Sequence, residues 1–113
     1  ECLPILYYPK GNNGPVKESL DALVARKPKT FLRLAGDLEI LGAEGTRSSR
    51  ICVRPLGQGL WELKRTFDKI DCRILFGLGR SVVWLVDFFE KETAKTPAHI
   101  LERARKRLRM VIE

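Results

Sequence analysis

The sequence predicts an α+β domain: an N-terminal strand and a helical hairpin, then a curled antiparallel sheet and a C-terminal helix. Three observations carry this. Apolar residues recur at helical spacing only near the two ends of the chain. The middle of the chain instead alternates, or runs apolar without a break, as strands do. The connections between those strands are too short for crossovers, so neighbouring strands are antiparallel. Helices and strands segregated along the chain point to helices packed on one face of the sheet.

Each element has its own signal. Leu3 to Tyr8 is a short apolar run ended by Pro9, and 10–14 is a loop on composition. Pro15 suits a first helical position, where its missing N–H would be unpaired anyway. Glu18 falls in the first turn, where the helix dipole favours an acid. Val16, Leu20, Leu23 and Val24 then mark a helix over 15–26. Lys27-Pro28 breaks and restarts the chain. Phe31, Leu34, Ala35, Leu38 and Leu41 mark a second helix, ending near Gly42 or Gly45. Gly36 lies inside it at a cost of about 1 kcal/mol against Ala, which close approach to the first helix would explain.

From Arg47 the texture becomes strand-like, with Ile51 to Arg54 short and extended. A glycine-framed turn then feeds Leu60 to Arg65, where Trp61 and Leu63 alternate with Glu62 and Lys64. That alternation places the apolar pair on a core and the charged pair in water. Thr66 to Asp71 reads as a polar turn, Cys72 to Leu78 as a strand and Gly79-Arg80 as a tight connection. Ser81 to Phe88 is apolar almost throughout, as a strand covered on both faces would be. Thr96-Pro97 opens the last helix, with Thr96 as N-cap. Its apolar stripe is Leu101, Ala104, Leu108 and Val111, and Arg103, Arg105, Lys106, Arg107 and Arg109 make it strongly basic.

The 113 residues form one domain, 1–113, of ordinary globular composition, 44% apolar and 31% charged. No apolar run approaches the roughly 20 residues of a membrane-spanning helix, and no secretory leader is visible. Cys2, Cys52 and Cys72 are odd in number and lack C-x-x-C spacing, so neither a metal site nor a redox pair is expected. Cys52 and Cys72 read as buried thiols of a protein in the reducing cytoplasm. The net charge of +7 points to an acidic partner, whether nucleic acid, an anionic membrane surface or an acidic protein, with solubility alone as the other reading.

Several motifs, in order, resemble a known family. Tyr7-Tyr8 is followed by Pro15-Val16-x-Glu18-x-Leu20-x-x-Leu23, then Arg54-Pro55-Leu56 and Gly59-Leu60-Trp61-Glu62-Leu63-Lys64. Arg73-Ile74-Leu75-Phe76 opens a later strand, and Phe89-x-Lys91 leads to Lys95-Thr96-Pro97. The chain is similar to toxins of the RelE/ParE superfamily, in the phage-derived HigB-like branch. Three positions depart from that branch's pattern. Glu92 stands where a second lysine is usual, Ile100 where an acid is common and Cys72 where a tyrosine is frequent.

The resemblance implies a RelE-like fold, similar to small microbial ribonucleases. It also implies an mRNA interferase that cuts mRNA in the ribosomal A site, in contact with 16S rRNA, held inactive by a helix-turn-helix antitoxin. No metal or cofactor is required. The 2′-hydroxyl attacks the adjacent phosphate, and the protein moves two protons and stabilises the charge that develops. Arg73 matches the strand arginine of the family, and an arginine fork pairs with two phosphate oxygens. Its other reading is a surface arginine paired with Asp71 or Glu62. Lys64 is a candidate phosphate clamp or base. Glu62 is a candidate general base or a salt-bridge partner that orients Arg73. Lys91 completes the set, and His99, the only histidine, is a further acid–base candidate. Arg54, Arg65 and Lys95 are candidates for RNA binding. Trp61 and Trp84 read as core. Two alternatives stay open at this point. One is a ParE-like toxin that blocks DNA gyrase without nuclease chemistry. The other is a catalytically degenerate nucleic-acid-binding relative.

Overall fold

The structure, a computed structural model, describes residues 2–91 and 95–112. Strand β1 (Ile5–Tyr7) leads to helices α1 (Pro15–Arg26) and α2 (Pro28–Glu44). A short 3₁₀ turn, Gly45–Arg47, precedes β2 (Cys52–Gly57), β3 (Leu60–Phe67), β4 (Ile70–Gly79) and β5 (Val82–Lys91), and helix α3 (Ala98–Val111) ends the chain. The α+β class is as the sequence predicts. The five strands form one sheet in the order β1-β5-β4-β3-β2. Strands β2 to β5 pair antiparallel, whereas β1 joins β5 in parallel, so the sheet is mixed. The α1–α2 connection separates β1 from the other strands and carries the chain back to a parallel edge.

The helices cover both faces of the sheet, which corrects the expectation of one covered face. On one face Val16, Leu20 and Leu23 of α1 and Leu34, Leu38 and Leu41 of α2 bury Leu63, Ile74, Phe76, Val83 and Leu85. Trp61 stacks on Phe76 there, with ring centroids 6.4 Å apart. On the other face Ile100, Ala104 and Leu108 of α3 cover Leu60, Leu75 and Val86. Gly77 lets α3 come this close, because a Cβ at that position would run into the Leu108 side chain.

Other local expectations change as well. The turn placed at 66–71 shrinks to Asp68-Lys69, both at positive φ, because β3 and β4 pair as far as Phe67 and Ile70. Gly36 meets nothing that a Cβ would touch, so close helix approach does not explain it; Gly42 instead lies against the Leu3 carbonyl. Cys52 is exposed on the edge strand, and only Cys72 is a buried thiol, pushed up to about 11 chiefly by burial.

Candidate nucleic-acid interface

The strand register settles which side chains share a face. Arg54 stands opposite Glu62, Cys52 opposite Lys64, Lys64 opposite Arg73, Arg73 opposite Phe89 and Asp71 opposite Lys91. Directly paired residues of antiparallel strands project to the same side, and so do residues two apart along a strand. Arg54, Glu62, Lys64, Asp71, Arg73 and Lys91 therefore lie on the α3 face of the sheet, beyond the patch that the helix covers. Arg65 lies on the opposite face. There its guanidinium grips the buried Asp37 of α2 with two hydrogen bonds, 2.9 and 2.5 Å long, so it stitches helix to sheet rather than joining the basic face.

Glu62 is the hub of the charged face. Its side chain is 2% exposed, and both oxygens are engaged. Oε1 accepts from Arg54 Nε at 2.9 Å. Oε2 accepts from the Thr96 hydroxyl at 2.9 Å and from an Arg73 terminal nitrogen at 3.3 Å. With these donors around it, the buried carboxylate is held in one orientation.

Arg73 is almost fully buried, with 1% of its side chain exposed. It also donates to Asp71 at 3.0 Å, and the Thr66 hydroxyl donates to the other Asp71 oxygen at 2.6 Å. The Asp71 carboxyl is held below the usual carboxylate range, first by the Thr66 hydrogen bond and then by the Arg73 and Lys64 charges. Arg73 thus pairs with both Glu62 and Asp71, but as a buried side chain and not as the surface arginine expected, because the two carboxylates and the Thr96 hydroxyl close around it.

The accessible cations surround this buried network. Arg54 is 57% exposed, and among the described residues its two terminal nitrogens have no hydrogen-bond partner. Lys64 and Lys91 are half-buried and Lys95 is exposed. His99 is exposed in the first turn of α3. An open groove of about 370 Å³ lies along the margin of the sheet, lined by Arg50, Cys52, Lys64, Arg65 and Thr66 among others. Among the described residues no cluster of three His, Cys, Asp or Glu side chains is placed to hold a metal ion.

The basic helix α3 is partly consumed by structure. Arg103 grips the buried Asp87 with two bonds of 2.8 Å, Arg107 bonds the Val86 carbonyl and Arg105 bonds the Leu56 carbonyl. Lys106 and Arg109 remain exposed. Ile100 is buried against the sheet, so its departure from the acidic pattern has a packing reason. Glu92 lies outside the described residues.

Sequence reasoning missed two members of the network: Thr66 as the donor that anchors Asp71, and Thr96 as a donor to Glu62. Pro97, not Thr96, is the N-cap residue of α3, and the Thr96 hydroxyl turns onto the sheet. A family model described as phage-derived protein Gp49-like (DUF891) matches residues 18–109, a span that contains all of the charged face. Comparison with curated proteins and with solved structures gave no significant match.

Proposed function

Since the chain belongs to the Gp49-like phage-derived family, a family of RelE-type, toxin-like proteins, we propose that it is the toxin of a type II toxin–antitoxin pair. In this reading it is a metal-independent endoribonuclease that cuts mRNA on the ribosome and is neutralised by a helix-turn-helix antitoxin. The observation that carries the reading is one sheet face on which Arg54, Lys64 and Lys91 stand around the buried Glu62–Arg73 pair.

Cleavage forms a bond between the 2′-oxygen and phosphorus and breaks the bond from phosphorus to the 5′-oxygen. One proton leaves the 2′-hydroxyl and another reaches the departing 5′-oxygen. Negative charge grows on the phosphate oxygens between these events. Arg54 presents an accessible guanidinium fork for two of those oxygens, with its Nε already fixed on Glu62. Lys64 and Lys91 add point charges on the same face. Arg73 sits beneath them, neutralising Glu62 and holding its carboxylate in place. It acts as a positioning residue, and the groups that meet RNA are Arg54, Lys64 and Lys91.

Induced expression tests the reading. Growth should stop, and transcripts should be cut within translated regions. Arg54→Ala should reduce cleavage on the order of 100-fold, the typical loss when one oxyanion-stabilising donor is removed. Intact transcripts and unimpaired translation on induction would overturn it.

A further inference from the structure

We propose that Thr96 is a positioning residue for RNA cleavage: its hydroxyl locks the Glu62 carboxylate so that Arg54 is aimed at the phosphate. The inference rests on the nuclease reading above and adds to it a residue on a different element.

The chain of contacts is short. Arg54 is a long side chain on the edge strand β2, more than half exposed, and its only hydrogen bond among the described residues runs from Nε to Glu62 Oε1. Its aim therefore depends on which way the Glu62 carboxylate plane is turned. That plane is fixed from the other side at Oε2, where Thr96 donates at 2.9 Å. Arg73 reaches the same oxygen at a longer 3.3 Å and lies 3.4 Å from the Thr96 hydroxyl. The hydroxyl thus closes a three-cornered contact between Thr96, Glu62 and Arg73.

Thr96 is not occupied by the helix it precedes. The backbone N–H groups of Ile100 and Leu101 bond the Pro97 carbonyl, and among the described residues no side chain caps the α3 N-terminus. A threonine beside a helix start ordinarily serves as a cap; here its hydroxyl is spent on a carboxylate 34 residues away. Glu62 is 2% exposed, so no bulk water stands by to replace that donor. The start of α3 and the edge strand are consequently coupled through one carboxylate.

Thr96→Val keeps the shape and removes the donor. The test measures cleavage of a defined mRNA on purified ribosomes, with kcat and KM separated. It also measures affinity for the same complex carrying a 2′-O-methyl group at the cleaved position, which lacks the nucleophile. Thr96→Val should lower kcat about tenfold, equivalent to about 1.4 kcal/mol, with little change in KM or in affinity for the blocked complex. Thr96→Ser should restore the rate, since it returns the hydroxyl. In a Glu62→Gln background Thr96→Val should add little further loss, because the two residues act as one unit. Wild-type kcat in Thr96→Val, or a full additive loss in the double variant, would overturn the proposal. If Thr96→Val does not fold, Thr96→Ala and Thr96→Ser carry the same comparison, and equal rates in those two would overturn it. Arg54→Ala keeps the two claims apart. If Arg54→Ala cleaves normally, the phosphate-facing role of Arg54 falls with everything built on it. If Arg54→Ala is inactive while Thr96→Val is fully active, only the role of Thr96 falls.

Discussion

On the face turned toward α1 and α2, β3, β4 and β5 present Trp61, Leu63, Ile74, Phe76, Val83 and Leu85, closed over by leucines from both helices. On the opposite face the same strands present Leu60, Leu75 and Val86 only as far as α3 reaches. Beyond the helix they present Glu62, Lys64, Asp71, Arg73 and Lys91. One strand therefore serves a dry layer and a charged layer with alternate residues, and where the charge stands is decided by where α3 stops. The difference also separates two kinds of arginine. Arg65, on the dry face, is locked to the buried Asp37. Arg54, on the charged face, is anchored at one nitrogen and leaves its fork outward.

Breaking the dry layer should have the largest effect on stability. Phe76→Ala removes a fully buried ring that stacks on Trp61 and should cost about 3–5 kcal/mol, read as a lower denaturant midpoint. That is a large share of the roughly 5–15 kcal/mol that holds a domain of this size together. Asp87→Ala is smaller. It releases Arg103 and Arg107, the residues that clamp α3 to β5, and should cost about 2–3 kcal/mol, with faster amide exchange concentrated in α3. Arg54→Ala should cost only about 1 kcal/mol in stability, because Glu62 keeps two donors, while cleavage falls far more. A comparable loss of stability and activity in Arg54→Ala would erase the distinction between the two faces.

Asp71→Asn should have the smallest effect and the sharpest pH signature. The Asp71 carboxyl titrates below its ordinary range in the folded protein, so its contribution is present above about pH 4, the unfolded value. It is lost as pH falls through the lower folded value. The stability gap between wild type and Asp71→Asn should therefore be present at neutral pH and close in acid. A gap that persists unchanged below pH 2 would show that the charge of Asp71 contributes nothing.

The sequence carried the elements and the side of the sheet on which the charges stand, because both depend on period, but it placed Glu62 in water, whereas Arg54, Arg73 and Thr96 hold it buried. Trp61 and Leu63 alternating with Glu62 and Lys64 could only be a strand with two different sides. The family motifs placed Arg73 and Lys91 near it. What the sequence withheld depends on long-range contact. The burial of Arg73 follows from Asp71, Glu62 and Thr96 converging on it, and no spacing rule announces a hydroxyl reaching across 34 residues. Thr96 before Pro97 looked like a helix cap because that local pattern usually is one. Arg65 looked like a neighbour of Lys64, yet one residue along a strand is the other side of the sheet. The parallel edge made by β1 was hidden for a similar reason. Three residues hold too little pattern to reveal a partner that begins at Val82, far along the chain.

The margins of the sheet bear on how this protein meets others. At the outer side of β1, Tyr7 exchanges both of its backbone hydrogen bonds with Gly11, so the loop that follows has already occupied that margin. At the other margin, β2 is interrupted by Pro55, which has no N–H to offer, and its register slips before Gly57. Neither border is a good template for an incoming strand. A bound protein is thereby steered away from extending the sheet and onto side-chain surfaces, and two copies of the chain have little means of zipping together edge to edge as their concentration rises in the cell.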